Sequence, residues 1–264
     1  MEARNPKIPQ ELEVKLIIIH SNPDQIADKI SKLVQIGEYP LTLPESKQIH
    51  DIYFDTAEEI FRRNRMAFRL RLENNQHFMT VKGRTSVQNW GGVERLEIEY
   101  PWSREAFQQT RLQLEEYGVD LQVKAELLED DNPLESLQKI GFSIIQDRHT
   151  SRLTRQIKSG NDIVAELAID RVNFQGKDRQ LIHYEIEIEA KNPQGTKVIQ
   201  EIQQDLQSTY GDSLQVSVFS KLMLGMVLRD LPENPQFFDL QKPVSHLAPA
   251  AYNWIEQRLR AINE

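Results

Sequence analysis

Acidic and basic side chains recur in this 264-residue chain at a spacing of two. Glu11 and Glu13 flank Leu12, with Lys15 two residues on. Arg69 and Arg71 flank Leu70, Thr80 and Lys82 flank Val81, and Arg95, Glu97 and Glu99 alternate with Leu96 and Ile98. Glu185, Glu187 and Glu189 alternate with Ile186 and Ile188, while Arg152, Asp170 and Lys221 add single charges. A spacing of two puts each run on one face of a β-strand. Carboxylate oxygens suit hard divalent cations such as Mg2+ or Mn2+, and guanidinium and ammonium groups suit phosphate oxygens. Lys15, Arg69, Arg71, Lys82, Arg152 and Lys221 together match the charge of a triphosphate in order of magnitude.

The elements that must carry these residues follow from the same alternation. Period-two segments at 11–16, 66–73, 78–82, 94–100, 148–158, 163–170 and 184–190, with a short strand at 50–54, predict about eight strands. Gly91-Gly92 marks a turn between two of them. Ser21-Asn22-Pro23-Asp24 opens a helix, and further helices are predicted at 103–117, 133–141, 195–208, 220–230 and about 248–262. Residues 231–249 contain four prolines and read as a linker or a strap across the body. On a single strand a charged face ordinarily meets water. Across this many strands, with enough helices to cover the apolar faces, the fold class expected is α+β: an eight-stranded antiparallel barrel, helices outside and charges inside. Buried ions of both signs need counter-charges, so the expected occupant carries both: a divalent cation with a polyphosphate.

Composition sets outer limits. The chain has no cysteine, which removes disulfides, zinc thiolates and thiol nucleophiles. Its longest aliphatic run is Leu16–Ile19, far short of a membrane span, and Met1 to Pro6 lacks the apolar core of a signal peptide, so a cytoplasmic protein is expected. A net charge of −8 argues against long nucleic acids lying on the outside. The histidines at 20, 50, 77, 149, 183 and 246 are scattered, form no persuasive Ser-His-Asp set, and are read as surface or capping residues.

The order of these motifs resembles the CYTH superfamily, the triphosphate tunnel metalloenzymes. Glu11-Leu-Glu13-Val-Lys15 fits its ExExK signature, Arg69-Leu-Arg71 its RxR strand, Thr80-Val-Lys82-Gly83 its TxKG strand and Arg95-Leu-Glu97-Ile-Glu99 its RxExE strand. Arg152, Asp170, the strand from Tyr184 to Glu189, and Ser220-Lys221 follow in the family's order, so the resemblance spans about residues 9–231. It implies a tunnel domain over 1–231, with a helical insertion at about 103–141, and a linker and packed C-terminal helix over 232–264. It further implies metal ligands among Glu11, Glu13, Asp170, Glu185, Glu187 and Glu189, with Glu185 and Glu187 preferred as the second pair. Phosphate would be held by Lys15, Arg69, Arg71, Lys82, Arg95, Arg152 and Lys221, and catalysis would involve Lys15, Arg69, Arg71, Lys82 and Glu97. Glu97, Glu99 and Glu166 also have a plainer reading as ion-pair partners. The activity implied is Mg2+- or Mn2+-dependent hydrolysis of a triphosphate, inorganic tripolyphosphate first. Thiamine triphosphatase, adenylate cyclase and non-catalytic binding remain alternatives. The partner implied is a triphosphate-containing small molecule, with no nucleic acid or membrane, and the chain a monomer or homodimer. Trp90 and Trp102 are candidate platforms for an organic group, though strand-end aromatics more often pack.

Overall fold

The structure, a computed structural model, describes residues 10–128 and 131–263; the extreme N-terminus read above lies outside them. Twelve strands are present among the described residues: β1 (Gln10–Ile18), β2 (Gln35–Ile36), β3 (Tyr39–Pro40), β4 (Glu45–Thr56), β5 (Ala67–Glu73), β6 (Gln76–Val87), β7 (Val93–Pro101), β8 (Phe142–Ser159), β9 (Asp162–Gln175), β10 (Gln180–Ala190), β11 (Leu214–Val216) and β12 (Val244–His246). Eight of them pair antiparallel in the order β1-β7-β6-β5-β4-β8-β9-β10. Pairing of β10 back onto β1, with Glu13 opposite Glu189 and Lys15 opposite Glu187, closes the barrel. The expected eight-stranded antiparallel barrel is therefore present. The observed strands β4, β8 and β9 run well past the segments legible from alternation, because the ladder continues where both faces are buried or both polar.

Among the described residues seven α-helices accompany the strands: α1 (Pro23–Ser31), α2 (Ile60–Arg63), α3 (Arg104–Glu116), α4 (Pro133–Lys139), α5 (Gly195–Tyr210), α6 (Lys221–Arg229) and α7 (Pro249–Asn263). Local chemistry starts several of them. Asn22 caps α1 and Asn132 caps α4, each followed by proline at the first helical position, and Ser103 caps α3. Among the described residues no helix is long and apolar enough to cross a membrane. The turn between β6 and β7 runs through Gly91 at φ +92°, a conformation that glycine adopts without strain.

Outward-pointing apolar residues are buried in two patches. One joins Val14, Leu16, Ile186 and Ile188 to Ile26 and Ile30 of α1 and to Val198, Ile199 and Ile202 of α5. The other joins Phe54, Phe68, Leu70, Val81 and Ile98 to Phe61 of α2, Phe107 and Leu114 of α3, and Leu137 of α4. Full burial of each such side chain contributes about 1.5–3 kcal/mol. Trp90 packs on the first patch and Trp102 on the second, as strand-end packing residues.

A third core occupies one end of the barrel itself. Val172, Phe174 and Leu181, on the inward faces of β9 and β10, pack with Leu224, Val227 and Leu228 of α6 and with Ala251, Tyr252 and Ile255 of α7, and Ile17 of β1 lies against them. Gly225 lets α6 come close: a Cβ there would stand 2.0 Å from Gln146 Nε2 and 2.9 Å from Phe174 Cδ1. The proline-rich segment between α6 and α7 is a strap. It buries Phe238 and Leu247 and adds β12 in parallel to β10.

Candidate active site

The rest of the barrel interior is a chamber of about 520 Å³. Ten cationic side chains and eight carboxylates line it, and Asp51, Asp170 and Glu185 lie buried behind them. The signs therefore nearly balance inside a chain whose overall charge is −8. Strand alternation produces this arrangement, since the apolar face of each strand is claimed by the helices outside and only the charged face remains for the interior.

The first wall is formed by β1, β6 and β7. Glu11 accepts from Arg95 Nε at 2.9 Å and lies 3.4 Å from Lys82 Nζ, which also donates to Glu97 at 2.8 Å. Burial alone would raise the Glu11 carboxyl, but Lys82 and Arg95 hold it well below the usual carboxylate range. Burial instead dominates at Glu13, with Glu11 and Glu187 alongside, and lifts it to about 7 despite Arg95. Glu13 Oε1 is 2.8 Å from Arg95 Nη2 and 3.9 Å from Lys15 Nζ, yet it takes no hydrogen bond among the described residues. Lys15 is also buried, which lowers its pKa, and its ammonium donates to the Phe219 carbonyl at 2.7 Å.

On the second wall, β4, β5 and β8 gather three guanidinium groups around one acid. Asp51 lies 2.8 Å from Arg71 Nε, 3.1 Å from Arg148 Nη2 and 3.6 Å from Arg69 Nε. Burial would push Asp51 up, but the three arginines hold it well below its ordinary value. Arg69 also reaches Thr80 Oγ1 at 2.9 Å and Glu99 at 3.1 Å, and Arg148 donates to the Tyr53 hydroxyl at 2.9 Å. Asp51 thus aims the three arginines from behind, and all three line the chamber.

The floor is built by β9, β10 and the start of α6. Ser220 caps α6 through the Met223 amide, and Lys221 follows at the first helical position. Lys221 Nζ lies 2.5 Å from Glu185, 2.6 Å from Glu187 and 3.0 Å from Asp170. Arg152 grips Asp170 through two nitrogens, at 2.7 and 2.6 Å. Burial opposes charge at Glu187, but Lys221 and Arg152 hold its carboxyl well down. The N-terminus of α6, with its partial positive charge, faces the chamber with Ser220 and Lys221 at the wall.

The predicted residues therefore converge, though not all in the same layer. Lys15, Arg69, Arg71, Lys82, Arg95, Arg152 and Lys221 line the chamber, as do Glu11, Glu13, Glu97, Glu187 and Glu189. Asp170 and Glu185 do not reach its wall: Asp170 orients Arg152 and Lys221, and Glu185 lies between Lys221 and His183, beneath the floor. Of the three glutamates on the inward face of β10, Glu187 and Glu189 are the ones that reach the chamber. Glu97 and Glu99 pair with Lys82 and Arg69, and Glu166 lies 3.7 Å from Lys191. Sequence reasoning passed over Asp51, Tyr53 and Arg148, and also Lys47, Glu73 and Lys191 at the wall. Several of these had a signal: Glu73 shares a period-two face with Arg69 and Arg71, Arg148 shares one with Arg152, and Asp51 shares one with Tyr53.

The donor set suits a hard divalent cation. Glu11, Glu13, Glu187 and Glu189 offer carboxylate oxygens from the adjacent strands β1 and β10, and Glu13 Oε1, ion-paired with Arg95 but without a well-aligned hydrogen bond, has coordination capacity left for a cation.

The CYTH domain family profile matches residues 9–217. Among solved structures, HpAC1 from Hippeastrum, a candidate adenylyl cyclase with a dominant triphosphatase activity, is 19% identical. The match covers 82% of this chain and 95% of that one at a TM-score of 0.54, a likeness of fold. A candidate adenylate cyclase from Bacillus halodurans is also 19% identical, covering 81% and 96% at a TM-score of 0.45. No curated protein matches the sequence.

Proposed function

Because the chain belongs to the CYTH family, we propose that it is a divalent-metal-dependent triphosphatase that cleaves inorganic tripolyphosphate to diphosphate and phosphate. The observation that carries this reading is the near-balance of charge in the chamber: ten cations meet eight carboxylates at the wall and three more acids behind it. A bare polyanion would satisfy the cations and strand the acids, each at a cost of several kcal/mol. A metal polyphosphate brings partners for both.

Glu11, Glu13, Glu187 and Glu189 would hold the cation, whose contribution when bound is to neutralise phosphate oxygens and polarise the phosphorus. Arg69, Arg71 and Arg152 offer planar forks for phosphoryl oxygens, and Lys15, Lys82 and Lys221 act as compact charges. Asp51 and Asp170 fix the direction of those forks before substrate arrives, so little reorganisation is needed during reaction. Phosphoryl transfer to water asks little covalent chemistry of the protein, and positioning with charge neutralisation supplies the rate.

The wall favours an inorganic substrate. Tyr53 and Phe78 are its two aromatic residues among those described, and Tyr53 is turned to Arg148; Trp90 and Trp102 lie in the outer cores. The test compares phosphate release and cyclic AMP formation from tripolyphosphate, thiamine triphosphate and ATP, with binding measured in parallel. Expected is phosphate release from tripolyphosphate with Mg2+ or Mn2+, falling by about 10²–10³ in Glu11→Gln and Arg71→Ala. Metal-independent hydrolysis, or full activity in both variants, would sink the proposal, and binding without turnover would make the chain a sensor.

A further inference from the structure

A second group of ligating side chains lies on the other side of the same barrel wall. Asp51 and Tyr53 of β4, like Arg148 and Arg152 of β8, face the interior, so His50, Asp147 and His149 face outward. This stretch of wall lies outside both helix-covered patches: Asp147 and His149 are exposed and His50 is half-buried. His50 and His149 are directly opposed in the β4–β8 ladder, and their rings stack with centroids 4.1 Å apart at 17°. Asp147 Oδ1 lies 2.7 Å from His50 Nε2. One ligand atom from each of the three residues falls within 4.8 Å of the others.

We propose that His50, Asp147 and His149 form a binding site for a borderline divalent cation, Zn2+ foremost. Two imidazole nitrogens and one carboxylate oxygen suit Zn2+, Cu2+ or Ni2+, whereas Mg2+ and Mn2+ prefer the all-oxygen set inside. Atoms bound to zinc at about 2.0–2.2 Å in a tetrahedron stand about 3.3–3.6 Å apart, so side-chain rotation at exposed His149 and Asp147 closes the present spread. The backbone need not move. His50 pairs with Leu72 on one side and His149 on the other, within a closed ladder that fixes the separation of the histidines. Three protein ligands leave the fourth tetrahedral position to water. The site shares no side chain with the chamber, so the two cation preferences can be exercised independently.

The full chain, stripped with chelator and saturated with Mg2+, is titrated with Zn2+ by calorimetry, and melting is followed with and without zinc. Expected is one equivalent of Zn2+ per chain, with a rise in melting temperature. Both persist in Glu187→Gln, and both are lost in His50→Ala and His149→Ala. If His50→Ala does not fold, His149→Ala decides, since that residue is exposed. Zinc that survives His149→Ala, or disappears only in Glu187→Gln, overturns the proposal.

Discussion

The two halves of the barrel interior are built by the same strands and filled in opposite ways. Along β1 the inward face reads Glu11, Glu13 and Lys15, then Ile17, and along β9 it reads Glu166, Ala168 and Asp170, then Val172 and Phe174. The charged half keeps a chamber because ions of both signs resist close packing with anything but counter-ions. The apolar half is packed solid because α6 and α7 supply matching hydrocarbon. One helix joins the two regimes: Lys221 at the start of α6 belongs to the floor of the chamber, while Leu224, Val227 and Leu228 belong to the packed end. Where that helix seats sets the depth of the chamber.

Three perturbations strain this contrast. The largest effect is expected within the charged half, where Asp51 counters three guanidinium groups at once. Asp51→Asn leaves two buried guanidinium groups, Arg69 and Arg148, and the half-buried Arg71 around a neutral amide, and a loss of about 3–5 kcal/mol in urea unfolding is expected. An unchanged midpoint would restore the simple equation of charge with function. Next, Gly225→Ala forces α6 away from Gln146 and Phe174 and should cost about 1–3 kcal/mol. Weaker substrate affinity should accompany that cost, because Lys221 moves with the helix; a stability loss with no change in affinity would separate the halves entirely.

The smallest effect concerns pH. Burial gives Glu13 a pKa near 7, so at pH 6 the folded protein holds a proton there that the unfolded chain has mostly released. That proton favours folding at low pH, an advantage lost as pH rises through 7. A cation must displace it. Mn2+ affinity should therefore be about tenfold weaker at pH 6 than at pH 8, with proton release seen by calorimetry in two buffers at the lower pH only. Equal release at both would remove Glu13 from the ligand set.

Much of this could be read from alternation. Eight barrel strands and the charged face of most of them follow from period two, and α1, α3 and α4 announce themselves through caps and prolines. What escaped is what depends on neighbours in space. Asp51 looked like one residue of a short strand, since nothing local reveals that three arginines from two other strands converge on it. Glu185 and Glu187 share a face and a spacing, and only the seating of α6 separates a residue beneath the floor from one at the wall. His50 and His149 lie a hundred residues apart, and the β4–β8 register alone makes them a pair.

The packed end also bears on traffic. Because α6 and α7 fill that end of the barrel, the polyphosphate proposed as substrate would meet the floor at Lys221 with a chain terminus rather than thread past it. On that reading the seating of α6 would set which linkage is reached, and the fold would act as a gauge of length.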